Sequence, residues 1–83
     1  MFYGLDVHKD FIQVCRLSPD GKQRQDLAIP ATAEAIEAFA RTLTREDQVA
    51  LEVTFHTWAI YQILVPHAGR VVAVNALQVK AIA

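Results

Sequence analysis

The chain has 83 residues, enough for one domain and too few for two independent cores. It is 53% hydrophobic and 20% charged, with a mean hydropathy of +0.20, which excludes disorder and points to more apolar surface than so small a domain hides alone. Eight basic and nine acidic residues leave a formal charge of −1, so no bulk basic field marks nucleic-acid binding and any such contact has to be local.

In chain order, residues 2–6, "FYGLD", form a short apolar strand that stops at Asp6. The polar "VHKD" at 7–10 serves as a hairpin connection to a second strand, "FIQVCRL" at 11–17, rich in β-branched and aromatic residues. Cys15 is the single cysteine, so no internal disulfide is available, and its place in an apolar run predicts a buried core thiol. "SPDGK" at 18–22 is the strongest turn signal: proline presets φ, Asp20 folds its side chain onto the backbone and Gly21 tolerates positive φ. A more polar third strand over 23–29 reads as a sheet edge closed by Pro30.

A helix follows, capped by Thr32, with Glu34 in its first turn and the i, i+3, i+4, i+7 stripe Ile36, Phe39, Ala40 and Leu43. "QVALEV" at 48–53 is apolar on both faces except for Glu52, as suits an interior parallel strand. A second helix is expected from Thr57 to near Gly69, with Trp58, Tyr61, Leu64 and Val65 on its stripe. Pro66 should stop or kink it early. "RVVAVN" reads as a fifth strand, buried by its composition, and "LQVKAIA" as the opening of a further helix. No stretch approaches the ~18 apolar residues of a membrane span, and no positively charged lead-in to a long apolar run marks a signal peptide. A reducing, cytoplasmic setting is the default expectation.

The order βββ-α-β-α-β, with a hairpin meander and two right-handed crossovers, gives a mixed sheet in the order 3-2-1-4-5. That α/β arrangement resembles the ribonuclease H-like architecture. Both crossovers move across the sheet in one direction, so both helices fall on one face. The other face is left without cover, and the fold reads as incomplete at its C-terminal end. A later helix or a partner chain is expected there.

In this sheet strands 1 and 4 are parallel neighbours, so Asp6 and Glu52 approach the carboxyl edge side by side, ~4.8 Å being the spacing of adjacent strands. Open α/β sheets bind ligands at that edge. Two bare carboxylates this close repel, whereas a divalent cation stabilises both as anions. Mg²⁺ suits oxygen ligands and a substrate phosphate. Alone, each acid has a plain structural reading: Asp6 as a turn-former, Glu52 as the partner of Lys9 or Arg70. Placed together they read as metal ligands. Lys9 is equally a phosphate contact and a surface charge. His8 reads first as a solvated turn histidine and second as a metal ligand or phosphate contact. Asp10 reads first as a local hydrogen-bonder starting the second strand and second as a third ligand. Trp58 reads first as core and His56 first as a cap-region residue, with facing a substrate as the second reading for both, and His67 reads as a helix-C-terminal residue.

"YGLDVHKD" at 3–10, "VALEVT" at 49–54 and "VVAVNALQVKAIA" at 71–83 resemble, in order and spacing, the N-terminal segment of the DEDD-type insertion-sequence transposases, RuvC-like recombinases directed by a structured bridge RNA. The resemblance covers essentially the whole chain. It implies a partial RuvC-like domain over 1–83, a Mg²⁺ cofactor, DNA and guide RNA as partners, and catalytic metal ligands at Asp6 and Glu52, with His8 and Lys9 near nucleic acid. The family carries four acids, and its third and fourth lie beyond the "VK" segment, as does its serine-bearing domain. Here Thr54 is followed by Phe55 rather than glycine, and Ala76 stands where proline is usual. With two of four acids the chain is expected to be inactive by itself. Two other functions remain open: a non-catalytic module that self-associates or contacts the missing C-terminal part, and a half-domain of an actin-like sugar kinase. The bulk of "DVHKD" disfavours the latter, because a nucleotide phosphate loop needs close backbone approach.

Overall fold

The computed structural model describes residues 1–52 and 56–74. Five strands and two helices follow the expected order: β1 (Phe2–Val7), β2 (Phe11–Leu17), β3 (Arg24–Pro30), α1 (Ala33–Ala40), β4 (Gln48–Glu52), α2 (Thr57–Leu64) and β5 (Arg70–Val74). The sheet runs β3-β2-β1-β4-β5. β1–β2 and β2–β3 are antiparallel, while β1–β4 and β4–β5 are parallel. The helix start expected at "LQVKAIA" lies outside the described residues, as does Asn75.

Local chemistry sets each junction. In the β2–β3 turn the Ser18 hydroxyl donates to Asp20, whose Oδ1 also accepts the Lys22 amide at 3.0 Å, and Gly21 takes φ +73°. That positive φ is where glycine is needed. Thr32 caps α1, its hydroxyl accepting the Ala35 amide at 3.2 Å. Helix α1 buries Ile36, Phe39 and Ala40, and Leu43 follows them into the core. Helix α2 stops at Leu64 rather than near Gly69. The Val65 amide still bonds the Tyr61 carbonyl at 3.0 Å, but Pro66 has no N–H with which to continue.

Both helices cover the same face. Alternate residues Tyr3 and Leu5 of β1, Ile12 and Val14 of β2, and Val49 and Leu51 of β4 meet Ile36, Phe39, Ala40, Leu43, Ile60, Leu64 and Ala68. Each large side chain fully buried here is worth about 1.5–3 kcal/mol relative to exposure. The opposite face is open: Phe2 and Phe11 are 42% and 41% exposed.

Four expectations about burial need correction. Cys15 is half-buried on the open face, because it pairs with Gly4 and Asp26 in register while its neighbour Val14 takes the core side. The Asp26 carboxylate opposite it accepts from Arg24 Nε at 3.2 Å, and this partner above all holds Asp26 below the ordinary aspartate range. β5 is a sheet edge of half-buried and exposed residues, not a buried strand. Trp58 is 74% exposed and Val65 40%. The buried stripe of α2 is Thr57, Ile60 and Leu64; since "TWAIYQIL" is apolar nearly all round, its composition does not say which side faces the sheet.

One residue that sequence reading passed over organises the amino edge. Asp47 is only 6% exposed; its carboxylate accepts the Thr44 amide at 2.8 Å and the Thr44 hydroxyl at 3.3 Å, and pairs with the Met1 ammonium at 3.3 Å. Its carbonyl accepts the Gly69 amide at 2.9 Å, which ties the loop before β4 to the loop before β5.

Candidate functional site

The strand register determines where the two acids stand. β1 and β4 pair in parallel through Leu5↔Leu51, so Asp6 and Glu52 are the next residues on adjacent strands. Leu5 and Leu51 are buried beneath the helices, at 4% and 0% exposure. Successive side chains in a strand alternate faces, which puts both acids on the open face at the carboxyl rim. Asp6 is exposed and Glu52 half-buried. Asp6 also faces Gln13 of β2, and Glu52 faces Val74 of β5.

The β1–β2 turn shapes the rim beyond Asp6. It closes with the His8 amide on the Phe11 carbonyl at 2.9 Å. His8 Nε2 donates to Asp6 Oδ2 at 3.0 Å, and its imidazole stacks on Phe11 with centroids 4.5 Å apart and planes 17° apart. A carboxylate only accepts, so the proton of this contact belongs to His8 Nε2. The histidine expected to be a solvated turn residue is therefore an oriented one, although it keeps 46% of its side-chain surface. It fixes one oxygen of Asp6 and leaves the other to the rim. Lys9 follows in the turn and, with Val7, His8 and His56, borders an apolar cavity of about 220 Å³ on the helix side. The Asp10 side chain is exposed. Its carbonyl accepts the Ala31 amide at 3.1 Å, a long-range backbone bond that ties the start of β2 to the end of β3.

Arg70 stands opposite Gln48 at the start of β4, four residues from Glu52. At ~3.3 Å per residue that is about 13 Å along the strand, so the Glu52–Arg70 pair weighed from sequence does not form. Glu52 is instead anchored through its backbone: the Thr57 hydroxyl donates to its carbonyl at 3.2 Å, joining the strand end to the first turn of α2. Sequence reading missed this tether and the His8–Phe11 stack. A hydroxyl at the helix start five residues after Glu52 was the available signal for the first. Nothing in the sequence signalled the second. His67 lies beyond the end of α2, its amide bonded to the Leu64 carbonyl at 3.0 Å.

The donor set is oxygen-rich and hard, as a small divalent cation requires. Among the described residues no group of three or more His, Cys, Asp or Glu side chains is arranged to hold a metal ion. Asp6 and Glu52 bring two carboxylates to the same rim from adjacent strands.

The family model of the IS110-type DEDD transposases, described simply as a transposase, matches residues 3–83. The chain belongs to that family. No curated protein and no solved structure gives a match. The five-stranded sheet and its two helices accordingly represent the RuvC-like fold of DEDD transposases, with the order read from the sequence. Among the described residues of this transposase chain no helix is long and apolar enough to cross a membrane.

Proposed function

We propose that residues 1–83 form part of a RuvC-like catalytic domain and contribute Asp6 and Glu52 as ligands to a divalent-metal centre, Mg²⁺ by the chemistry of the donors, for DNA strand cleavage and transfer. The observation that carries this reading is the parallel Leu5↔Leu51 register, with one acid immediately after each leucine on the same open face. Membership of the transposase family supplies the substrate class.

When bound, such a cation neutralises phosphate charge and lowers the pKa of a bound water or hydroxyl, which activates it for phosphodiester attack. The chain's own groups prepare for it. Asp6 and Glu52 present carboxylate oxygens from adjacent strand ends, where a cation between them would favour both as anions. His8 holds Asp6 Oδ2, fixing the carboxylate's rotation. Lys9, one residue further round the turn, is placed to meet a phosphate. Of the four acids of the family pattern only these two match within the sequence, so the chain alone is proposed to be inactive. Bridge RNA is proposed as the guide, on family grounds. The open face supports a further contact with another part of the transposase or with a second copy, because Phe2 and Phe11 lie exposed on it.

The test is an NMR titration with Mg²⁺ and the paramagnetic Mn²⁺. Weak, saturable binding should broaden the amide signals around Asp6 and Glu52, and Asp6→Ala or Glu52→Ala should abolish it. A wild-type titration that leaves the rim unbroadened, or broadening that survives in both variants, ends the metal reading.

A further inference from the structure

Trp58 is the only tryptophan of the chain and is 74% exposed, a large apolar surface with no part in the core. It stands in the first turn of α2, next to Thr57, whose hydroxyl holds the carbonyl of Glu52. One helical step on, Tyr61 meets it edge-on, with ring centroids 5.5 Å apart and planes at 81°. The two rings stand nearly perpendicular, and most of the indole surface remains exposed beside its neighbour. The two aromatics and Thr57 form one wall of a groove of about 390 Å³ whose other wall is the β5 edge from Arg70 to Ala73. Helix α2 starts at the carboxyl rim and returns towards the amino edge, so Trp58, Tyr61 and Arg70 succeed one another along the groove. Arg70 is exposed, and its backbone amide, not its guanidinium, is bonded to Asp47.

We infer that the α2–β5 groove is a stacking track for unpaired nucleotides, with bases on Trp58 and Tyr61 and a backbone phosphate at Arg70. Every base has a π-face, so stacking on an indole tolerates any sequence, and a guanidinium beyond the aromatics supplies the phosphate contact. The β5 wall spans about 10 Å, three steps of ~3.3 Å, which fits a short extended run rather than a duplex. The chain's net charge of −1 means that the contact relies on this local cation and not on a general basic field. The choice of nucleic acid as occupant rests on the transposase reading. The track itself does not require the two acids, and an unpaired strand of DNA or of RNA carries the same chemistry.

Because Trp58 is the sole indole, its fluorescence reports this groove alone. Single-stranded dT and U oligonucleotides, titrated in EDTA, should each quench it saturably and more strongly than a duplex of equal length; the tighter of the two identifies the source of the strand. Tyr61→Ala should weaken binding about tenfold, within the range found when one base-stacking aromatic is removed. Arg70→Gln should lower the salt dependence by about one counterion. Asp6→Asn should leave the quenching intact, which separates failure of the track from failure of the metal reading. Absence of quenching, equal quenching by duplex, or indifference to Tyr61→Ala would overturn the track. A blue shift of Trp58 that grows with protein concentration and is unaffected by oligonucleotide would assign the groove to a second copy and overturn it too.

Discussion

The contact between the loops before β4 and β5 makes Gly69→Ala the sharpest single perturbation of this fold. A Cβ on Gly69 would lie 2.8 Å from the Arg45 carbonyl carbon and 3.2 Å from the Asp47 carbonyl oxygen, and closer still to the Arg45 oxygen. All three are backbone atoms, so no side chain can swing aside. Restoring an ordinary contact of 3.4 Å moves the carbon by about 0.6 Å and the Arg45 oxygen by more. That displacement pulls at the Gly69 amide bond to Asp47, 2.9 Å long, and at the neighbouring Arg70 bond of 3.3 Å. Overpacking of this kind costs about 1–3 kcal/mol, and a weakened hydrogen bond adds about 0.5–1.5. The stiffer alanine returns about 0.4–1 kcal/mol through the unfolded state. The middle of these ranges is a net loss of about 2–3 kcal/mol, a fall in Tm of roughly 8–24 °C for a domain of this size.

The control is the same substitution at Gly4, where a Cβ meets nothing within 4 Å and φ is not positive. Gly4→Ala should be neutral or stabilise by up to about 1 kcal/mol. Urea and thermal unfolding followed by circular dichroism measure both. A Gly69→Ala variant within about 0.5 kcal/mol of wild type, or losses of equal size at the two glycines, would show that the two loops do not press together in this way.

Two further outcomes follow from the packing and the turn chemistry. Leu51 is fully buried, and Leu51→Ala should cost about 2–5 kcal/mol in urea unfolding, because the cavity opens between sheet and helices; a cost below 1 would mean that the face is not closed there. Asp20 is held below its ordinary 3.8, first by the Ser18 hydroxyl and then by the Lys22 amide, so its contribution to the turn is present above 3.8 and fades as pH falls through its lower folded value. An NMR titration should place its midpoint below 3.8 and return it towards 3.8 in Ser18→Ala; a midpoint that Ser18→Ala leaves in place would remove the hydroxyl as the main cause.

The sheet order was readable because its determinants are local and cumulative: a strong turn at "SPDGK", a capped stripe after Thr32, and crossovers whose handedness leaves one topology. Neighbouring strands then place Asp6 beside Glu52 without any tertiary detail. What escaped reading depends on which side of an element faces inward. Helix α2 is apolar nearly all round, so its composition suggests a core place for Trp58, which Ile60 and Leu64 in fact occupy. Cys15 sits in an apolar strand too, but alternation gives the core to Val14. Asp47 escaped because its role lies in loop closure, where one carboxylate meets Thr44 and one carbonyl meets Gly69, contacts that no periodicity encodes.

The open face and the acid rim have a common cause. A strand buried on both sides could not end in an unpaired carboxylate without a large desolvation cost. Here the helices take Leu5 and Leu51, and the pleat delivers Asp6 and Glu52 to the face that keeps water and can admit ions. The exposure of Phe2 and Phe11 on that same face is the apolar counterpart of this arrangement. Phe11 stacks on His8 at the rim, whereas Phe2 stands at the far end of the sheet. A partner that covered Phe2 while leaving the rim clear would bury apolar area and lower the dielectric near the acids, which on the proposed metal reading would strengthen their attraction for a cation. On that reading, covering the Phe2 end of the face and binding a divalent cation should be positively coupled.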